Sequence, residues 1–296
     1  MSNWVEYKNG NYNVKFNLDD GTKIRETGDD KFIASFAENC DVSLTYRCKQ
    51  NCKFCYMGCT PEGKHADIMS QKWIHSLHPY TELALNGNDL DHPQLDEFLE
   101  FLKSKKVIAN ITINQNQFME HLDKINLWYR RGLIHGLGVS LVNPTNEFIL
   151  EIQKYPNAVI HTINGLLTPV QIEKLANNNL KILILGYKEL ERGMDFKNNN
   201  STYIKYNQRY IKNHLSDIVN KFAVISFDNL CLEQLDVKNS GILSEDEWNE
   251  FYMGDDGTVT YFIDAITEEF AMNSVSQERY PLLDTVDEMF ERMKVK

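Results

Sequence analysis

The chain has 296 residues, 42% hydrophobic and 25% charged, the proportions of a globular protein large enough to bury a core without disulfide staples. A formal net charge of −11 argues against a nucleic-acid partner, since a groove for a phosphate backbone needs clustered Lys and Arg; the densest basic run, Lys103-Ser104-Lys105-Lys106, falls at a predicted helix end, where cations complement the dipole. No run approaches the about 20 apolar residues that span a bilayer, and no apolar stretch follows a basic start, so the expectation is a soluble, cytoplasmic protein with no membrane partner.

Residues 1–40 read as a β-hairpin appendage. Trp4-Val5-Glu6-Tyr7 and Tyr12-Asn13-Val14-Lys15-Phe16 alternate around Asn9-Gly10, a hairpin signal, and Asp19-Asp20-Gly21 is a second turn. From residue 41 the pattern changes. Strands are expected at 42–46, 82–85, 109–113, 138–142, 159–163, 182–185 and 223–226. Helical patterns lie between them at 67–77, 93–105, 117–130, 145–154, 168–178 and 203–220. Thr145 with Glu147, Thr168 before Pro169, and Asp91-His92-Pro93 mark helix starts. Repeated β–α units imply parallel strands with right-handed crossovers. They can close, partly or fully, into a barrel or form a doubly wound open sheet, and periodicity alone fits both. Residues 231–296 read as an extension: a hairpin of 248–253 and 259–263 around Gly254-Asp255-Asp256-Gly257, then a helix at 282–293.

Four of the six cysteines, Cys48, Cys52, Cys55 and Cys59, fall within twelve residues; the others are Cys40 and Cys231. In a cytosolic chain such a cluster reads as metal or redox chemistry. Cys48, Cys52 and Cys55 are spaced C-x3-C-x2-C directly after the first strand of the core. Three thiolates on one short loop can each take one iron of a cubane cluster and leave the fourth iron open for a small molecule.

This spacing, the aromatic Phe54 before the last cysteine and the strand-to-loop placement resemble the radical S-adenosylmethionine superfamily over residues 41–230. The resemblance implies an α/β fold, a partial (β/α)6-type, TIM-like barrel with small β appendages at both termini. It implies one [4Fe–4S] cluster on Cys48, Cys52 and Cys55, with S-adenosylmethionine chelated at the open iron. An external electron donor such as flavodoxin or ferredoxin would drive its cleavage. The resulting 5′-deoxyadenosyl radical would take hydrogen from a small-molecule or peptide substrate. No further cysteines suggest an auxiliary cluster in the C-terminal extension. Zinc held with Cys59 is the main alternative, although structural zinc sites usually pair two separated knuckles. A fully ligated electron-transfer cluster is another, although ferredoxins use C-x2-C-x2-C-x3-C. Either would make the chain a non-catalytic zinc- or iron–sulfur-binding module for ligand or protein recognition. Cys59 is then a ligand, a spare thiol or a small buried residue.

The family carries a Gly-Gly-Glu motif at the end of the second strand, contacting the methionine amine. Here Gly87-Asn88-Asp89 stands in that position and departs in two residues; an Asx turn is the plainer alternative. Polar residues recur at the other strand ends, among them Asn114, Ser140, Asn143 and Lys188. By analogy Ser140 and Asn143 would meet ribose or carboxylate groups, Lys188 a carboxylate, and Asn114 a polar edge of the cofactor. Phe54 would pack beside it. His161 reads as a proton donor or a core histidine, and Cys231 as a hydrogen-atom donor or an inert thiol. The stretch 236–247 mimics a calcium loop but has Lys238 where an oxygen ligand is required, so Ser244 to Glu247 reads better as a helix capping box.

Overall fold

The computed structural model describes residues 3–252 and 254–294. The chain opens with three antiparallel strands, β1 (Trp4–Asn9), β2 (Tyr12–Asn17) and β3 (Lys23–Glu26), which form their own small sheet. The expected hairpin turns at Asn9-Gly10. A Cβ on Gly10 would lie 1.7 Å from the Ile33 carbonyl oxygen, so glycine is what lets the 31–36 segment pass. Asn9 fastens that segment by donating to Phe36 O at 3.0 Å and accepting from Ser35 N at 2.8 Å.

Seven parallel strands follow: β4 (Asn39–Ser43), β5 (Glu82–Gly87), β6 (Ile108–Asn114), β7 (Gly136–Ser140), β8 (Ala158–Ile163), β9 (Lys181–Leu185) and β10 (Val224–Phe227). They sit side by side in chain order, with no reversal of direction. A doubly wound sheet reverses at a switch point. Strands that always step the same way, through right-handed crossovers, put their helices on one face. The helices of this region are α1 (Leu95–Ser104), α2 (Gln115–Glu120), α3 (Leu122–Arg130), α4 (Asn146–Ile152), α5 (Pro169–Leu175), α6 (Glu191–Asn199), α7 (Ser201–Asn213) and α8 (Leu215–Val219) between the strands, and α9 (Asn229–Leu235) after the last.

Alternation along the strands then separates two surfaces. Val42, Leu83, Leu85, Ile111, Ile113, Val139, Ile160, Ile182 and Ile184 join the continuous apolar core beneath the helices. Asn86, Thr112, Asn114, Ser140 and His161 occupy the other face and are only partly buried. Each large side chain fully buried on the core side, such as Phe98, Phe118, Trp128 or Phe148, is worth about 1.5–3 kcal/mol of apolar burial.

The C-terminal extension differs from expectation. Residues 245–251 form α10 (Glu245–Phe251) instead of a strand, because Ser244 and Glu247 make the reciprocal capping box and Trp248 stacks on Tyr252 one turn on. Met253, the last residue of the expected strand, lies outside the described residues. The hairpin is instead β11 (Thr260–Asp264) with β12 (Glu269–Ala271), followed by β13 (Tyr280–Pro281) and α11 (Val286–Met293). β11 pairs in parallel with β4, so the extension lengthens the main sheet to ten strands, running from β10 through β4 to β13. Smaller differences are local. The expected helix at 67–77 is two 3-10 turns, Ile68–Ser70 and Lys72–Ser76. The helix after β5 starts at Leu95, without a side-chain cap from Asp91. The helices expected over 117–130 and 203–220 break at His121 and His214.

The amino ends of the parallel strands are sealed by charge. Glu38 is 0% exposed and receives Arg25 Nη2 at 2.7 Å, Arg25 Nε at 2.9 Å, Lys23 Nζ at 3.5 Å and Tyr12 OH at 2.6 Å. Lys23 also reaches Glu82 at 2.7 Å, and Glu82 accepts from Asn110 at 3.0 Å. Burial alone would raise the Glu38 carboxyl, but the Arg25 hydrogen bonds and charge, with Lys23 and Tyr12, outweigh it and hold it below the usual range.

Candidate metal and cofactor site

The chain leaves β4 into a loop whose two limbs zip together. Ala66 N donates to Leu44 O at 2.9 Å, Tyr46 N to Lys64 O at 2.9 Å, Thr60 N to Tyr46 O at 3.0 Å and Cys48 N to Thr60 O at 2.8 Å. A Cβ on Gly63 would come within 2.0 Å of the Tyr46 carbonyl oxygen, so the neck depends on glycine. Beyond it, Asn51 and Gly58 take φ of 44° and 63° and fold the tip that carries Cys48, Cys52, Cys55 and Cys59.

The four thiols share one electrostatic neighbourhood. Burial raises Cys48, against N–H donors from Gln50 and Asn51. Burial also raises Cys52, reinforced by Cys48 and Cys55 and opposed by its own N–H and Arg192. A hydrogen bond from the Cys59 thiol, with N–H groups of Cys59 and Met57 and the charge of Arg192, favours the Cys55 thiolate; Cys59 is raised in return. Cys48, Cys52 and Cys55 stay half-buried, whereas Cys59 is 2% exposed. Among the described residues no three Cys, His or carboxylate groups are drawn into a finished metal-ligand set. The donor chemistry nevertheless fits an iron–sulfur cluster: three accessible thiols on one loop, backbone N–H groups aimed at sulfur, and a cation beneath.

That cation is Arg192, which donates to Cys52 O at 3.0 Å and Cys59 O at 2.7 Å. It stands on α6, the helix that sequence reading missed, because Gly193 and the run Asn198-Asn199-Asn200 look like breakers. Gly193 is buried, and a Cβ there would meet Lys188 O at 2.5 Å. Phe54 packs edge-on against Phe196 of the same helix, with ring centres 5.9 Å apart.

The Gly87-Asn88-Asp89 turn lies against this loop. Asn88 Nδ2 is 3.3 Å from Cys59 Sγ and 3.3 Å from Thr45 O, while Gln117 holds the Asn88 carbonyl at 2.8 Å. Asn86 accepts from Leu44 N at 2.6 Å and donates to Thr45 O at 3.0 Å. Gly87 is closely packed: a Cβ would meet Thr112 O at 2.7 Å. Asp89 is buried and already partnered, with Arg47 Nε at 3.3 Å, His65 Nε2 at 3.7 Å and Asp91 N at 3.1 Å, so the turn and the acceptor are the same residue.

Asn114 caps α2 through Asn116 N at 2.9 Å, and Asn116 Nδ2 reaches Gln50 of the cysteine loop at 2.9 Å. Ser140 ends β7 in register with Asn114 and His161. Asn143 is exposed, its backbone held on both sides by Gln115 at 2.8 and 2.6 Å. Lys188 bridges the mouth: its Nζ lies 4.3 Å from the Tyr56 ring centre and donates to Ser274 Oγ at 2.9 Å. Burial opposes its charge, yet Tyr56, Asp228 and Asp41 raise it on balance. Tyr46 OH hydrogen-bonds Asp264 of β11, a second tie between the loop and the C-terminal strands. Cys231 is fully buried in α9, where burial pushes its thiol up and keeps it inert.

Arg192, Tyr56, Ser274 and Asp41 were missed. Asp41 had a readable signal, a charge between core-facing Cys40 and Val42; Arg192 had none, since nothing local links it to a loop more than a hundred residues earlier. Two surface concavities, around Tyr7 and Lys15 and around Val170 and Glu173, lie on other elements and are lined by no cysteine or histidine. No helix among the described residues is long and apolar enough to cross a membrane. No protein-family model and no curated protein matches the sequence.

Proposed function

We propose that the chain is a radical S-adenosylmethionine enzyme on a partial (β/α) barrel, acting on a small-molecule or peptide substrate in the cytoplasm. The observation that carries the reading is the seat of the cysteine loop. Three half-buried thiols stand on the loop that leaves the carboxyl end of the first parallel strand, and the buried fourth, Cys59, ties that loop to the Gly87-Asn88-Asp89 turn of the next strand through Asn88 at 3.3 Å. When bound, a [4Fe–4S] cluster on Cys48, Cys52 and Cys55 would supply an open iron for S-adenosylmethionine and the electron that cleaves it to a 5′-deoxyadenosyl radical.

The chain's own residues do the rest. N–H groups of Gln50, Asn51 and Met57 and the Arg192 cation offset negative charge on the sulfurs. Gly87 keeps the floor low, and the Ser140 hydroxyl, the Asn143 side-chain amide and the Asn114 amide nitrogen would present neutral hydrogen-bonding groups along the rim. Lys188 offers a cation to a carboxylate. Phe54 wedges the loop on α6, and the C-terminal strands flank the mouth, limiting water near a radical. The half-exposed loop leaves a path for a flavodoxin or ferredoxin to deliver electrons.

The test is anaerobic reconstitution. The expected result is about four irons per chain and release of 5′-deoxyadenosine on reduction with S-adenosylmethionine, both lost in Cys52→Ala. Cleavage retained in that variant removes Cys52 from the cluster. A second reading, structural zinc, draws on the thiol–thiol hydrogen bond that brings Cys59 to Cys55. A colourless protein with one tightly held zinc and no iron would favour it.

A further inference from the structure

The open face of the parallel sheet carries a carboxylate with no hydrogen-bond or ion-pair partner among the described residues, only the more distant charge of Lys188. Asp41 stands in mid-β4 between Cys40 and Val42, which both belong to the helix-covered core, so its side chain points to the opposite face. There protein surrounds it, yet the side chain keeps open access to solvent. Burial raises its carboxyl; Lys188 opposes this, and Asp256 and Asp228 add to it. The Asp41 side chain makes no hydrogen bond or ion pair with the described residues.

The neighbouring charges are engaged elsewhere. Lys188 donates to Ser274 at 2.9 Å. Asp228 accepts from Gly186 N at 2.7 Å and Cys231 N at 2.8 Å. Asp256 accepts from Asn229 at 2.8 Å and Asn273 at 2.7 Å. Three carboxylates thus face one lysine, and only Asp41 is unpartnered. The same face carries a second polar side chain without a partner, His161 on β8, four strands from Asp41. His161 has no side-chain hydrogen bond among the described residues, and burial lowers it to about 4, so the ring is neutral at pH 7. A Cβ on Gly138 would lie 2.7 Å from both His161 Nε2 and Thr112 Oγ1; glycine lets these two polar side chains share the floor.

We propose that this face binds a substrate bearing a protonated nitrogen, an amine or guanidine, whose charge Asp41 takes. The inference rests on the proposed function and names the substrate class of that site. A neutral or anionic occupant would bury Asp41 with its charge offset only in part, by Lys188, which costs binding energy. A cation restores the balance and adds a charge-assisted hydrogen bond.

The test uses the full chain and three probes of similar length: putrescine, butanediol and succinate, titrated by calorimetry or ligand-observed NMR. Putrescine should bind at least about tenfold more tightly than the other two, and Asp41→Asn should erase about tenfold of that preference. Asp41→Asn keeps the side-chain shape and removes a charge that has no direct partner and faces two other carboxylates, so it should melt no lower than the wild type. Equal affinity for putrescine and butanediol, tighter succinate, or a preference that survives Asp41→Asn would each overturn the proposal. Should the variant not fold, the wild-type order of the three probes decides alone. Iron content and S-adenosylmethionine cleavage of the wild type are read separately. A chain that prefers putrescine but binds no iron keeps its cation site and loses the enzyme reading.

Discussion

The two ends of the parallel sheet handle charge in opposite ways. At the amino ends, Glu38, Arg25, Lys23, Glu82 and Tyr12 are buried or nearly so and answer one another within the chain. At the carboxyl ends and over the open face, Cys48, Cys52, Cys55, Asp41 and His161 are left half-satisfied. A closed network of buried charge specifies a structure, because removing one member strands the others. Groups with unused hydrogen-bonding or ligating capacity specify an occupant. Both ends are rich in titratable residues, and their pairing is what tells them apart.

Crossed substitutions give the sharpest way to break this comparison. Cys52→Ala should remove all bound iron yet move the urea midpoint little, since the thiol is half-exposed and has no packing role. Glu38→Ala should do the reverse. It leaves Arg25 and Lys23 without their buried partner and should cost about 3–5 kcal/mol in urea unfolding, with iron bound normally by the folded fraction. If Glu38→Ala cost less than about 1 kcal/mol, the amino-end network would be ornament.

Acid sharpens the same contrast. The folded Glu38 carboxyl lies below its ordinary value of 4.5, so the stability from its pairing is fully present above that value and is lost as pH falls through the lower folded one. Stability curves measured at successive pH values below 4.5 should show this loss in the wild type and lack it in Glu38→Gln. The smallest expected effect is at Arg192. Arg192→Ala deletes two hydrogen bonds to the loop carbonyls, a local loss of about 1–3 kcal/mol that should speed iron release to a chelator while leaving the global urea midpoint nearly unchanged. An unchanged release rate would show that α6 does not hold the loop.

Much of the fold was legible because its signals are local. The seven parallel strands and most helices follow from apolar periodicity and caps, and the helix start at Thr168 before Pro169 and the Ser244 capping box form as read. The cysteine loop was legible for the same reason, its residues being neighbours in the chain. What failed depends on distant contacts. The aromatic run at 248–253 has strand composition but a helix cap before it, and the cap won. Strand 260–264 carries no mark of its partner, since pairing with β4 joins residues more than two hundred positions apart. α6 hides behind Gly193, whose missing side chain is a packing requirement set by Lys188 O and not a helix break.

By itself the sequence determined the β–α rhythm, the hairpin at Asn9-Gly10 and the three-thiol spacing, because each depends on neighbours within a few turns of chain. The tertiary structure alone decided the one-way strand order, the recruitment of β11 to β4, Arg192 beneath the thiols and the isolation of Asp41. These depend on which faces meet after burial, and a linear pattern of apolar and polar residues leaves that open.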